Sequence, residues 1–454
     1  MNTRAPLQSV AVAGGGPVAL AAAVAFARAL PDARVSLIPA PVPEDALADR
    51  LPLALPSSHG MLARIGLAPE RLTAHGLATR RQASRFLPSG GDRQAWLVGD
   101  DAAAVPGPVA PHHLWQRARL SGRRIPPFHA LIPGCVAALA GRDDPDGDAA
   151  LHIDPQGMSR ALAGLAQQCG VAVLAPLLAV RHADDDVAAL MLEDGSTASA
   201  DLFVDASGPT PRLVAPGVAD AFLPWHDALP CDRLRLAIDR DSGALAGDDY
   251  RATAGGWQAR WRGLRADGFV AGGSDVAAGA AADAIPIAPG RLARPFAGNV
   301  LALGDAAAQA GPLGLAGMTL ALAQLDLALE LLPARADEPL LRAEYNRRAG
   351  LRADRLRDFL GAQYRAAGIA IDRDAPPSLA NVLKQFAQRG LLVTADEDSV
   401  PRDAWLAVLV GQGLTPRRPD PIATALSPDR AADVVVALAR DIAARFPDRI
   451  ATPS

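Results

Sequence analysis

The stretch from Ser9 to Leu30, SVAVAGGGPVALAAAVAFARAL, constrains this chain more than any other. An apolar run of strand length meets three glycines and a proline, and an alanine-rich run of helix length follows. Pro17 suits a first helical turn, where its missing N–H leaves nothing unsatisfied. Gly14 and Gly16 allow a tight turn and the close approach of a pyrophosphate, with Gly15 between them, and Ala19 is small enough to let the helix lie on the strand. With Pro17 and Val18 opening the helix, Gly14 to Ala19 is a candidate dinucleotide seat at the helix's positive end. Ala33 to Ile38 (ARVSLI) reads as a second strand, which completes a strand–helix–strand unit and predicts a parallel sheet.

One part of this pattern is missing. A ribose-binding acid is expected about 20 residues past the turn, yet the second strand ends Ile38-Pro39-Ala40, and the first carboxylates are Glu44 and Asp45. Either other groups hold the ribose or affinity is reduced.

A second strand-to-helix handover lies at Asn299 to Pro333, NVLALGDAAAQAGPLGLAGMTLALAQLDLALELLP. The run Val300 to Leu303 meets Gly304-Asp305, then a small-residue loop, then a helical run from about Leu315. Asp305 is placed to accept from a sugar-like hydroxyl. The apolar run Leu313 to Leu332 approaches membrane-spanning length, but Gln324, Asp326 and Glu330 interrupt it, so a core helix is expected.

With 454 residues the chain can bury a large core, and its hydrophobic half with few aromatics suits a helix-rich α/β protein. A net charge of −4 argues against nucleic acid as a partner. Cys135, Cys169 and Cys231 show no metal or disulfide spacing, which fits a reducing compartment. The N-terminal residues enter a strand too soon for a signal peptide, so a cytoplasmic location is expected. No histidine–carboxylate spacing suggests a metal, and Ser207 (DASGP) and Ser274 (GGSD) lack a nucleophile elbow. His112 and His113 are expected to form a surface pair.

The expected fold is α/β: a discontinuous Rossmann-like domain over 1–215 and 295–335, a mixed sheet over 216–294 forming a substrate cavity, and a helical C-terminal region over 336–454. Trp225, Trp257, Trp261 and Phe269 fall in the sheet region, where core packing is the competing reading. Ala200 to Gly208 (ADLFVDASG) reads as a buried strand ending in a small-residue turn, and Arg342 to Ala366 as a helix with a solvated, ion-paired face.

Three elements in order, GGGPVA, ADLFVDASG and NVLALGDAAAQAGPLGLAG, resemble those of two-dinucleotide-binding-domain flavoproteins, and more narrowly the flavin-dependent tryptophan halogenases. Further likeness lies in HIDPQGMSRALAGLAQQCGVAV, LMLEDGSTASADLFVDASG, EYNRRAGLRADRLRDFLGAQYRA and LVGQGLTP. The resemblance implies FAD, reduced by a separate flavin reductase, and an aromatic, indole-like or peptide-borne substrate; a homodimer is a further possibility. It places Gly14, Gly15, Gly16, Pro17, Val18 and Ala19 on the pyrophosphate, Gly304 and Asp305 on the ribityl chain, and Gly314, Leu315, Ala316 and Gly317 at the flavin ring.

The same resemblance implies a catalytic lysine and glutamate, and both are replaced. The lysine's segment looks like Ala78 to Phe86 (ATRRQASRF), with Arg81 at the matching position; the chain's one lysine is Lys384. The glutamate's turn looks like Pro312 to Gly317, where Gly314 replaces the acid and Leu315 and Ala316 replace the halide-site hydroxyls. The tryptophan-rich signature is reduced to Trp257 to Arg262 (WQARWR), and the flavin-lining segment to Leu51 to Pro56 (LPLALP). Without an acid near the substrate, general-base catalysis worth roughly 10²- to 10⁴-fold is lost. Two readings follow: an FAD-dependent oxygenase or oxidase, with Arg81 holding an anionic substrate group, or a catalytically inactive relative that binds a partner with weak or no FAD. Halogenation itself is the less favoured outcome.

Overall fold

Five residues with no polar side chain beyond Ser9 suit only a strand covered on both faces, and Ser9–Ala13 forms the centre of a six-stranded sheet. The computed structural model describes residues 7–88, 95–101, 108–239, 246–261, 263–270, 283–332, 338–369, 374–411 and 413–447. Arg262, Ser274 and Pro333, named above, lie outside the described residues. The chain divides into two compact units: Met1–Thr79, Leu151–His226 and Ile285–Arg357 form the first, and Arg80–Ala150, Asp227–Ala284 and Asp358–Ser454 the second.

In the first unit the sheet order is Phe296–Ala297, Val300–Ala302, Leu202–Asp205, Ser9–Ala13, Arg34–Ile38, Ala172–Val173. All pairings are parallel except the outer Phe296–Ala297. Val10 pairs with Val35 on one side and Leu202 on the other, so the connections leave the central strand in opposite directions. That reversal opens a crevice at the strands' carboxyl ends, where ligands bind in such sheets.

Helix Pro17–Ala29 is buried along most of its length, and its alanines let it pack closely. Asp154 caps helix Pro155–Gln168 by accepting from the Gln156 and Gly157 N–H groups. The window Leu313–Glu330 is apolar enough to cross a membrane by composition, yet 78% of it is buried within the protein, as a core helix requires. Asp186–Leu192 forms antiparallel ladders with Leu177–Ala183 and Thr197–Ala198, and Gly195 (φ 83°) makes the second turn.

In the second unit the strands follow the order Cys231–Ile238, Leu264–Val270, Gly256–Trp261, Gly247–Thr253, Ala83–Leu87, Trp96–Val98. Burial alternates along Gly256–Trp261, placing Trp257, Ala259 and Trp261 on one covered face. That face is filled by its own rings. Phe86 stacks on Trp96 at 4.3 Å and on Tyr250 at 4.9 Å, and Trp261 Nε1 donates to the Tyr250 hydroxyl at 3.0 Å. Core packing, the bland reading of these tryptophans, accounts for Trp257 and Trp261. Trp225 lies in the first unit, beneath the Arg357 guanidinium.

Candidate functional site

The glycine turn sits at the carboxyl end of Ser9–Ala13, as its sequence requires. Gly14 has φ 147°, and a Cβ there would collide with the Ala206 carbonyl and with Ala19. A Cβ on Gly15 would strike the Ala40 carbonyl, and one on Gly16 the Asp49 carboxyl. The room that these glycines leave is therefore filled by the chain itself.

Helix Pro17–Ala29 begins with no side-chain cap from Gly16, and Pro17 has no N–H. The Val18 N–H donates to Asp49 Oδ1 at 2.8 Å. A carboxylate from the chain thus occupies the helix's positive end, the position where such turns hold phosphate. Asp49 is only 6% exposed. Burial raises its carboxyl to about 6, against the opposing pull of the Val18 N–H and Arg50.

Asp49 belongs to the short helix Leu47–Arg50, and that helix is held by the second handover. Asp305 follows Gly304 (φ 61°) at the end of strand Val300–Ala302. Its Oδ2 accepts the Ala48 N–H at 2.8 Å, while its Oδ1 is buried without a hydrogen-bond partner. The Leu47 N–H faces the same carboxyl but donates to the Asp45 carbonyl at 2.9 Å. Burial pushes Asp305 up to about 8, and nearby Asp49 and Asp45 add to the rise. Asp205, on the neighbouring strand, is also raised by burial, but both its oxygens have partners: it accepts from Ser207 N, Ser207 Oγ, Leu213 N and Val214 N.

Gln309 Nε2 donates to the Asp45 carbonyl at 2.8 Å, and Arg50 ties back to the Pro43 and Val42 carbonyls. A Cβ on Gly317 would lie 3.2 Å from the Ala48 Cα and N, so Ala48 is packed against the opening of helix Gly317–Glu330.

The turn before that helix bends through Gly314 (φ 74°) and Leu315 (φ 54°). Leu315 adopts a left-handed conformation that leucine rarely takes, the kind of strain that only firm surroundings maintain. Leu313, Leu315 and Ala316 are buried, and Pro312 to Gly317 carries no ionisable or hydroxyl side chain. Two residues on, Thr319 Oγ1 accepts from Leu55 N at 2.9 Å and donates to the Leu53 carbonyl at 3.0 Å. Thr319 thereby fixes the Leu51 to Pro56 segment.

Arg81 lies in the second unit and is buried. Its Nη2 is 3.3 Å from both Asp100 oxygens and its Nη1 3.9 Å from Asp248 Oδ2. Burial disfavours the guanidinium's charge, but Asp100 and Asp248 outweigh it and hold its pKa above the ordinary value. Lys384 is exposed on helix Pro377–Arg389. The expectation of a surface histidine pair is overturned: His112 is fully buried, with Nε2 3.1 Å from the Gly390 carbonyl. Burial, with His113 and Arg402 nearby, lowers it to about 3.

An open groove of about 830 Å³ in the first unit is lined by Asp184, Asp185, Asp186, Asp201, Arg294 and Arg342, among others. Asp201 and Asn299 on its wall precede strands Leu202–Asp205 and Val300–Ala302, so it sits at the opposite end of the sheet from the glycine turn.

The sequence model for tryptophan halogenases matches residues 9–262 and 269–428. The chain belongs to the tryptophan halogenase family. Among solved structures, this family member is similar to BrvH, a flavin-dependent halogenase from Brevundimonas sp. BAL3, at 24% identity and a TM-score of 0.84, with 98% of each chain covered. It is similar also to Xcc4156, a flavin-dependent halogenase from Xanthomonas campestris, at 22% identity and 0.84, covering 98% of this chain and 97% of that one. A tryptophan 6-halogenase (SttH) from Streptomyces toxytricini matches at 19% identity and 0.81, covering 97% and 98%. These likenesses establish the fold, that of flavin-dependent halogenases with a Rossmann-type FAD-binding domain.

Family membership implies FAD and a flavin reductase, but the cleft as it stands does not fit the dinucleotide. Its helix terminus already holds a carboxylate, and Pro39 rather than an acid follows the second strand. Asp49, Ala48 and Thr319 were not legible as site residues. The one available signal was the missing acid at Pro39, followed within a dozen residues by the acids of EDALAD.

Proposed function

We propose that this member of the tryptophan halogenase family does not halogenate and acts as a binding or partner protein with weak or no FAD, in the cytoplasm. The observation that carries this reading is the Asp49 carboxylate on the Val18 N–H, where a pyrophosphate would need to sit. Two further features agree with it. Arg81 is enclosed by Asp100 and Asp248, and the turn Pro312 to Gly317 offers no acid to a substrate.

A second reading, an FAD-dependent monooxygenase or oxidase acting on an aromatic or indole-like substrate, is favoured by one observation. Asp305 Oδ1 is buried without a partner at a strand's carboxyl end, an acceptor suited to a ligand hydroxyl. In this reading the substrate is peptide-borne, as the name of the similar structure MibH, a lanthipeptide tryptophan 5-halogenase, implies for that protein.

Purification decides between them. The first reading expects a colourless protein whose melting temperature does not move with added FAD. A yellow protein, or one stabilised by FAD, favours the second. Incubation with a flavin reductase, NADH, O2, bromide and indole is expected to give no bromoindole; turnover there would refute the loss of halogenation.

A further inference from the structure

Three ends in the first unit that could present groups to a ligand converge on one short helix. Asp49 accepts the Val18 N–H at the opening of helix Pro17–Ala29. Ala48 donates to Asp305 at the end of strand Val300–Ala302. The backbone of Ala48 lies against Gly317, which opens helix Gly317–Glu330. Glycine at position 16 is explained by this arrangement alone, because any Cβ would strike the Asp49 carboxyl.

An anion at a helix N-terminus is stabilised by the free N–H groups and the helix dipole. Those interactions can serve one anion at a time. A pyrophosphate brought to the same terminus would meet a carboxylate already hydrogen-bonded there. Asp305 Oδ1 beside it is a buried polar atom for which the chain supplies no partner, as at a site that receives a ligand's polar group.

We infer that Asp49 is the specificity-determining residue of this cleft: it is an internal ligand that excludes pyrophosphate-bearing dinucleotides, and its removal opens the seat to them. The inference rests on the reading that the wild-type chain binds FAD weakly or not at all. It adds that the fold around the seat is intact and that one side chain closes it.

The test is calorimetric titration of the full chain with FAD and, separately, with ADP, which carries a pyrophosphate and no flavin ring. Wild type, Asp49→Ala and Asp49→Asn are compared, with circular dichroism and melting curves confirming that each is folded. Asp49→Asn keeps the volume and removes the charge, and it serves if the alanine variant fails to fold. Asp49→Ala is expected to bind both ligands about tenfold or more tighter than wild type, with Asp49→Asn between the two. A folded variant with wild-type affinity for both ligands overturns the inference while leaving the weak-FAD reading intact. Tight FAD binding by wild type refutes that reading and with it the exclusion by Asp49, even if binding tightens further in Asp49→Ala. Tight binding by wild type that does not change in the variant refutes both.

Discussion

Asp305 meets Ala48 through one carboxyl oxygen at 2.8 Å, while its other oxygen is buried without a partner. A carboxyl so placed is half satisfied, and its neutral form is the favoured one at moderate pH.

The two carboxyls of this cluster should each favour the fold at lower pH. Asp49 and Asp305 are raised by burial to about 6 and about 8, so the folded state holds protons that the unfolded chain releases near pH 4. The cost of burying them is absent below that range, grows as pH rises, and is complete only above their folded values. Their contribution should therefore fall between about pH 4 and pH 8, by about 1.4 kcal/mol per pH unit for each carboxyl that is ionised in the unfolded chain and still protonated in the folded one, while His112, lowered by burial to about 3, contributes the opposite slope below about pH 6.5. Melting curves of wild type and Asp305→Asn across this range check it: the variant should show a clearly flatter dependence and a higher melting temperature at pH 8.

Gly16 and Asp49 should be coupled. Gly16→Ala alone places a methyl against the carboxyl and is expected to destabilise by roughly 1–3 kcal/mol. In an Asp49→Ala background the same change should cost at least about 1 kcal/mol less. Urea unfolding of the four proteins in the cycle measures this, and additive effects would show that the two residues do not compete for space.

Arg81 should behave as a structural cation. Arg81→Met leaves Asp100 and Asp248 buried beside each other without it, a change of the kind that costs roughly 3–5 kcal/mol. Arg81→Lys should lose less stability and still yield no bromoindole with reduced flavin, bromide and indole. Brominated product from that variant would show that the amine alone had been missing.

Thr319→Val should cost roughly 1–3 kcal/mol, because it leaves the Leu55 N–H and the Leu53 carbonyl without their buried partner. Thr319→Ser, which keeps the hydroxyl, should recover most of that loss in the same denaturation assay.

The fold was legible where local chemistry dictates structure. The apolar runs at Ser9–Ala13 and Leu202–Asp205, the glycines at 14 and 304, and Pro17 at a first turn each specify their conformation within a few residues. The site was legible only as a template, because a glycine motif reports that something must come close and not what does. Asp49 lies 31 residues from Val18, and nothing in EDALADR announces its partner. His112 hides for the same reason: its carbonyl partner, Gly390, is 278 residues away, and a short arginine-flanked helix reads as a surface one.

A cofactor that binds only the native state adds stability in proportion to the logarithm of its free concentration, so a cofactor-dependent fold loosens when supply falls. The carboxylate on Val18 is covalently part of the chain and cannot be diluted. A protein that seals its own anion seat holds that part of the fold at a strength set by pH and not by the flavin supply around it.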